Sequence, residues 1–265
     1  MYRILKFTLL LIFIGAGFVF AQAPTSVAIR QWTINGITRE ATLYVPGTAK
    51  SKLTPVIFLF HGHGGNMKEM YRSHDFSKLW PEAIIVVPQG LKTPGQLVDR
   101  AGNKAGWQQV PGDSNDRDIL FFDEMLSSLQ REYQIDTKRI YATGHSNGGS
   151  FTYLLWAMRG GVFAAVAPSA AVAFRFNDML KPKPVMHIMG ETDLLVKPAW
   201  QERQLRTLLK VNNCLTTGEP FGRFSTLYPS LSLTPVVLFS HPGGHAYPEE
   251  ANTAVISFFK SMVKL

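Results

Sequence analysis

The run Pro55-Val56-Ile57-Phe58-Leu59-Phe60 is wholly apolar and stops at His61-Gly62-His63-Gly64-Gly65. A run this short, with no polar alternation, reads as a strand covered on both faces. The pattern recurs along the chain. Residues Ala83 to Val87 stop at Pro88-Gln89-Gly90, Phe163 to Ala167 at Pro168, Val185 to Met189 at Gly190, and Val236 to Ser240 at His241-Pro242-Gly243-Gly244-His245. Helical segments lie between these runs: Asn66 to about Lys78, Asp116 to Tyr133, Phe151 to Met158, Trp200 to Val211 and Pro248 to Met262. In the second, Ile119, Phe122, Met125, Leu126 and Leu129 fall at helical spacing. Short buried strands that alternate with helices call for a mostly parallel central sheet with helices on both faces. Residues Val27 to Thr33 and Glu40 to Val45 add two strands joined through Asn35-Gly36, a hairpin signal, and so an antiparallel N-terminal edge.

The 265 residues are 46% apolar, enough for the core of one large α/β domain. There is no internal repeat or linker, so 22–265 is expected to be a single domain. Residues 1–21 read as a signal peptide. Arg3 and Lys6 precede an uncharged run from Phe7 to Ala21, with small residues at Ala21 and Ala23. Cleavage after Ala21 is favoured over cleavage after Ala23, because Pro24 follows the second site. The run is short for a membrane span, so no stable span is expected after processing, and the address is secreted or periplasmic. The formal charge is +8, and it drops to +6 without Arg3 and Lys6. That surplus suits anionic substrates or surfaces, but no consecutive basic run points to nucleic acid. Cys214 is the only cysteine, so no internal disulfide forms, and it reads as a small apolar filler. The oligomeric state is left open.

One stretch carries the chemistry. Gly144-His145-Ser146-Asn147-Gly148 fits G-x-S-x-G, the nucleophile elbow of the α/β-hydrolase fold, between the β-like run at Arg139 to Ala142 and a helical segment. The sharp turn exposes the serine hydroxyl, and the helix that follows aims its N-terminal N–H groups at developing negative charge. Strands of such a sheet place sites beyond their carboxyl ends. Ser146, Asp193 and His245 follow three of these ends in the order Ser, Asp, His. Ser146 is the expected nucleophile, His245 its base and Asp193 the orienting acid. The N–H groups of His63 and Asn147 are the expected oxyanion donors. Asp113, Asp116 and Asp118 are the alternative acids. His241 is the alternative base; His245 is preferred because its glycine-bracketed loop suits a mobile base. Trp107 has two readings, a platform for a substrate ring or a structural indole under a long loop. A metal site built from His61, His63, His241 and His245 lacks the carboxylate or cysteine spacing that zinc favours.

These residues resemble carbohydrate esterase family 1, the polyhydroxybutyrate-depolymerase-like and feruloyl esterases. The resemblance rests on Tyr141-Ala142-Thr143-Gly144-His145-Ser146-Asn147-Gly148-Gly149, His61-Gly62-x-Gly64-Gly65, Val87-Pro88-Gln89-Gly90, Gly106-Trp107, Phe163 to Pro168, Gly190-x-x-Asp193 and Gly243-Gly244-His245-x-x-Pro248. It runs from about Thr38 to the C-terminus. Met189 and Tyr247 depart from it, standing where histidine and tryptophan are usual, and paired cysteines are missing. The resemblance implies an α/β-hydrolase that cleaves esters outside the cytoplasm, with no cofactor and no metal. It brings His145 into the list of candidate substrate-binding residues beside Trp107. The expected partner is an ester-substituted polysaccharide or a small aromatic ester, most simply a feruloyl group on xylan. Acetyl-xylan and polyhydroxyalkanoate esters are rivals within the same mechanism, and a serine peptidase or a non-catalytic sugar-binding protein lies outside it. The irregular stretch Leu91 to Asn115 is expected to line the cleft and set specificity.

Overall fold

The computed structural model describes residues 25–173 and 175–264. The expected signal peptide therefore lies outside the described residues. A ten-stranded sheet forms the centre. Its strands are β1 (Ser26–Ile34), β2 (Ile37–Val45), β3 (Thr54–Phe60), β4 (Ile84–Pro88), β7 (Ile135–His145), β8 (Ala165–Ser169), β9 (Val185–Gly190), β10 (Glu219–Gly222), β11 (Ser225–Tyr228) and β12 (Val236–His241). The order across the sheet is β1-β2-β4-β3-β7-β8-β9-β12-β11-β10. From β4 to β12 neighbouring strands are parallel. The N-terminal pair adds the expected antiparallel edge, with Asn35 and Gly36 both at positive φ as a tight hairpin turn requires. Strands β10 and β11 add a second antiparallel edge that no apolar run announces, because β10 is exposed throughout and carries Pro220 and Gly222. The two-residue strands β5 (Leu91–Lys92) and β6 (Ala105–Gly106) pair separately, inside the long irregular stretch.

The wholly apolar run is buried along its full length. Its alternating side chains feed opposite layers. Val56, Phe58 and Phe60 join one apolar cluster, and Ile57 and Leu59 the other. The first cluster includes the buried face of α3 (Arg117–Glu132), with Ile119, Phe122, Met125, Leu126 and Leu129 all buried. It also takes in α4 (Asn147–Arg159) and part of α5 (Pro198–Val211). The second cluster packs α1 (Met67–His74), α2 (Phe76–Leu79) and α6 (Glu250–Ser261). Helices thus cover both faces, as the α/β-hydrolase fold requires. Cys214 is half-buried against the first cluster.

Two helices differ from expectation. Asn66 caps α1 by accepting from the N–H groups of Lys68 and Glu69 at 3.1 and 2.9 Å. The helix then breaks at Asp75, whose φ of 47° ends one segment and turns Phe76 into the core. Asparagine and aspartate tolerate that conformation better than other side chains do. The second difference concerns the elbow. Helix α4 begins at Asn147, directly after Ser146, and four residues earlier than its apolar pattern suggests. The early start is possible because Gly148 has no Cβ. A Cβ there would sit 2.1 Å from the Phe60 carbonyl oxygen, so glycine lets α4 lie directly against the end of β3.

Candidate active site

Ser146 sits between β7 and α4 with φ 56° and ψ −118°, a strained conformation for a residue with a side chain. Two backbone bonds hold it there. Its N–H donates to the Ser169 carbonyl at the end of β8 (2.8 Å), and its carbonyl accepts from Ser150 N–H (2.9 Å). The hydroxyl is 2.8 Å from His245 Nε2. On the other side of the ring, Nδ1 is 2.9 Å from Asp193 Oδ2. An ionised carboxylate only accepts, so Nδ1 carries the proton and Nε2 is free to accept the hydroxyl proton.

Asp193 is buried, with 1% of its surface exposed. Its Oδ1 accepts from the N–H groups of Leu195 (2.8 Å) and Val196 (2.9 Å). Gln201, fully buried on α5, donates to Oδ2 at 3.3 Å and to the Val196 carbonyl at 2.7 Å. Sequence reasoning passed over Gln201. The signal was there, since Gln201 and Gln204 share the inward face of α5 with Leu208.

The loops that carry Asp193 and His245 are bound to each other. Glu191 N–H donates to the His241 carbonyl (2.9 Å), and Thr192 N–H to the Gly243 carbonyl (3.2 Å). A Cβ on Gly190 would lie 2.2 Å from the Gly244 carbonyl oxygen. The preference for His245 thus meets a geometry other than the one expected: its loop is pinned rather than mobile. His241 ends β12, is buried, and accepts from Gly243 N–H through Nδ1. Burial holds it below the usual histidine range. The alternative acid Asp118 is equally committed, taking Arg39 Nη2 and the Gln108 N–H, both at 2.8 Å. Asp113 and Asp116 are likewise bonded within the long stretch, to Val110 N–H and to Gly112 N–H and Gln108 Nε2.

His61 fixes the glycine loop that holds His63. Gly90 N–H donates to His61 Nε2 (3.0 Å), so the proton lies on Nδ1 and is donated to the Gly62 carbonyl (2.7 Å). His63 N–H donates to no acceptor among the described residues. Asn147 is the first residue of α4, where an N–H has no acceptor one turn back. The Asn147 side chain has a further task. Its Oδ1 accepts from Trp107 N–H (2.7 Å) and its Nδ2 donates to the Trp107 carbonyl (3.1 Å). This reciprocal pair clamps the long stretch onto the elbow.

Beside Ser146 lies a pocket of about 140 Å³. Leu97, Val98 and Val110 from the long stretch line it, together with Phe176, Leu195 and Trp200 among others. The expectation that 91–115 lines the cleft therefore holds for 95–98 and 109–110. Neither Trp107 nor His145 lines the pocket. The Trp107 indole is fully buried, stacks on Phe151 at 5.3 Å and donates to the His61 carbonyl at 2.8 Å. No ring face is left for a substrate, and the structural reading of this tryptophan replaces the binding one. His145 packs behind His245, its ring 5.0 Å from that of His245 and 6.1 Å from that of Tyr247. Burial, and then the neighbouring His245, push it down to about 3, so it is a neutral packing partner and not a substrate contact. Among the described residues no group of three or more His, Cys, Asp or Glu side chains is placed to hold a metal ion, and no helix is long and apolar enough to cross a membrane.

Comparison with known proteins gives two kinds of match. The prolyl oligopeptidase family matches residues 107–213, less than half the chain. Among characterised sequences, feruloyl esterase C of Emericella nidulans is 27% identical over 80% of this chain and 77% of its own length. A bifunctional acetylxylan esterase/xylanase of Neocallimastix patriciarum is 35% identical over 29% of this chain, which spans only 12% of that protein. Among solved structures, a ferulic acid esterase from Anaeromyces mucronatus superposes with a TM-score of 0.59 over 90% of each chain, at 14% identity. The chain has the α/β-hydrolase fold and is a carboxylic ester hydrolase whose sequence is similar to that of feruloyl esterases.

Proposed function

We propose that this protein is an exported serine esterase that removes hydroxycinnamoyl groups, feruloyl above all, from xylan-type polysaccharide through an acyl-enzyme. The observation that carries the proposal is the continuous chain from Ser146 to His245 to buried Asp193, at 2.8 and 2.9 Å. In this reading Ser146 Oγ attacks the ester carbonyl while His245 Nε2 takes its proton. Asp193 keeps the proton on Nδ1 and stabilises the imidazolium. The N–H groups of His63 and Asn147 receive the oxyanion, supported by the N-terminus of α4. Collapse expels the alcohol, which takes the proton from His245. Water then attacks the acyl group by the same route in reverse. The apolar wall of Leu97, Val98 and Val110 suits an aromatic acyl group. The feruloyl esterase of Emericella nidulans, similar over 80% of the chain, supports that choice, and the N-terminal pattern supports export.

A peptidase reading draws support from the match at 107–213. The pocket weighs against an exopeptidase. Its described lining residues include no carboxylate to anchor a free ammonium, and Arg175 would repel one. The test is a panel of methyl ferulate, aryl acetate, hydroxybutyryl ester and dipeptide amide on one purified sample. Methyl ferulate is expected to be turned over fastest, and Ser146→Ala to lose at least about 10³-fold in kcat. Faster turnover of the amide would favour the peptidase. A Ser146→Ala variant that keeps most of its activity would remove the nucleophile.

A further inference from the structure

Helix α5 buries two glutamines one turn apart, and the surroundings use them differently. Gln204 is bonded at both ends of its amide. Its Oε1 accepts from Ala173 N–H (2.9 Å), and its Nε2 donates to Asn177 Oδ1 (2.8 Å). Gln201 is fully buried, and its Oε1 has no partner among the described residues. A buried carbonyl left unpaired is destabilising, and an apolar side chain of similar size would avoid that penalty. The other end of the amide explains why a glutamine stands here. Both hydrogens of Nε2 are in use, one on Asp193 Oδ2 (3.3 Å) and one on the Val196 carbonyl (2.7 Å). Turning the amide over would set Oε1 against two oxygens, so its orientation is fixed. The contacts close a ring. Val196 N–H donates to Asp193 Oδ1 (2.9 Å), Gln201 donates to the carbonyl of the same Val196, and the same amide reaches Oδ2. Oδ2 is the oxygen that faces His245 Nδ1, whereas the backbone donors from Leu195 and Val196 reach Oδ1.

We propose that Gln201 is the positioning residue of the acid. It holds the Asp193 carboxylate in the plane that presents Oδ2 to His245, and it stabilises the negative charge there while His245 carries the Ser146 proton. The proposal rests on the roles given above to Ser146, His245 and Asp193. It extends them to the side chain that orients the acid.

The test is Gln201→Met, which keeps the approximate volume and removes both donors. It is made in the unaltered protein and again in Asp193→Asn. Two readouts are taken: kcat and KM for methyl ferulate and an aryl acetate, and the rate at which an alkyl fluorophosphonate labels Ser146. In labelling, Ser146 Oγ forms a bond to phosphorus, fluoride leaves, and the hydroxyl proton passes to His245, so the reaction reads the same three residues without any ester. Gln201→Met is expected to lower kcat on both esters, and the labelling rate, by about tenfold, with KM held within about twofold. In Asp193→Asn the same substitution should change the rates by less than about twofold, because residues that act as one unit are not additive. A loss of packing would instead lower the rates equally in both backgrounds, and that result overturns the proposal. So does a change confined to KM, or a labelling rate that does not fall. Gln201→Glu covers a methionine variant that does not fold. Its carboxyl group can donate to Asp193 when protonated and can only repel it when ionised, so its labelling rate relative to the unaltered protein should fall as pH rises. A ratio independent of pH overturns the proposal. An unaltered protein that labels at Ser146 but cleaves neither ester would overturn the esterase reading, and the labelling rates would still decide the role of Gln201.

Discussion

Two regions meet at Ser146, and they are held by different means. The ends of β7, β9 and β12 deliver Ser146, Asp193 and His245 through short backbone bonds between neighbouring loops. The stretch 91–116 has little regular structure beyond the short β5–β6 pair and its turns, and side chains anchor it to the rest of the molecule. Asn147 clamps Trp107, Asp99 holds His63, and Asp118 ties Gln108 to Arg39. It also holds four non-glycine residues at positive φ, Asp99, Ser114, Asn115 and Asp116. Two of them show how such strain is tolerated: Asp99 Oδ2 accepts from Lys104 N–H and Asp116 Oδ1 from Gly112 N–H, both at 2.8 Å. The first region carries a geometry that chemistry demands and strand ends supply. The second shapes a wall, and many loops would serve. Substitutions in the first should therefore change rate, and substitutions in the second should change which ester is preferred.

The sharpest break in that contrast is Asp193→Asn. The amide is nearly isosteric, but its nitrogen can donate towards Nδ1 and favour the wrong tautomer of His245. We expect a fall of about 10⁴-fold in kcat with the melting temperature little changed. A fall of less than tenfold would mean that the acid is not Asp193.

Acidification comes next, and it acts on the region behind the base. His74, Tyr247 and His145 follow one another there, with ring centroids 4.4 and 6.1 Å apart. Burial pushes His74 down to about 4 and His145 to about 3, and it lowers His187, beneath α4, to about 4. Each folded value lies below the ordinary 6.5, so the unfolded chain binds more protons as pH falls beneath 6.5. Stability is then lost through the window from 6.5 down to about 4, by up to about 1.4 kcal/mol per pH unit for each histidine. Calorimetry across that window should show a falling melting temperature, partly flattened in His74→Gln. A flat profile would mean that these rings are charged in the folded state.

The same contrast explains what could be read without coordinates. Val56 to Phe60 announced a buried strand because every residue of it is apolar, and the sheet needs exactly such strands at its centre. Ser146, Asp193 and His245 were legible as residue types after strand ends. The edge strands Glu219–Gly222 and Ser225–Tyr228 were not, since an exposed edge needs no apolar pattern. Nor was the destination of Trp107. A tryptophan in a long polar stretch looks the same whether it stacks on a sugar or on Phe151, and only the third dimension separates the two.

Asn147→Ala tests the seam between the regions. It keeps the backbone N–H proposed as an oxyanion donor but removes both bonds to Trp107. Two buried backbone groups lose their partners, at a cost of about 1–3 kcal/mol each if water does not replace them. We expect a lower melting temperature and a larger loss of kcat/KM on methyl ferulate than on a small aryl acetate, because the wall moves more than the triad. Equal losses on both esters would mean that the seam serves the elbow itself and not the wall.

The smallest effect is expected at the outer end of the wall. Asp99 Oδ2 lies 3.0 Å from His63 Nε2, and the same carboxylate accepts from the N–H groups of Asn103 and Lys104. The His63 side chain holds Asp99 below the usual carboxylate range, and the Lys104 N–H adds to that. Asp99→Asn keeps the size of the side chain but replaces one of the two accepting oxygens with a donating NH2, and it removes the negative charge beside the imidazole. The turn lies outside both apolar clusters, so the melting temperature should fall only slightly. Leu97 and Val98 belong to the same turn and form the apolar wall, so KM for methyl ferulate should rise about two- to threefold while kcat stays level. If kcat falls instead, the His63–Asp99 bond is holding the oxyanion loop in place. The wall and the triad would then be one mechanical unit, and the division between them would have to be drawn farther out, beyond Asp99.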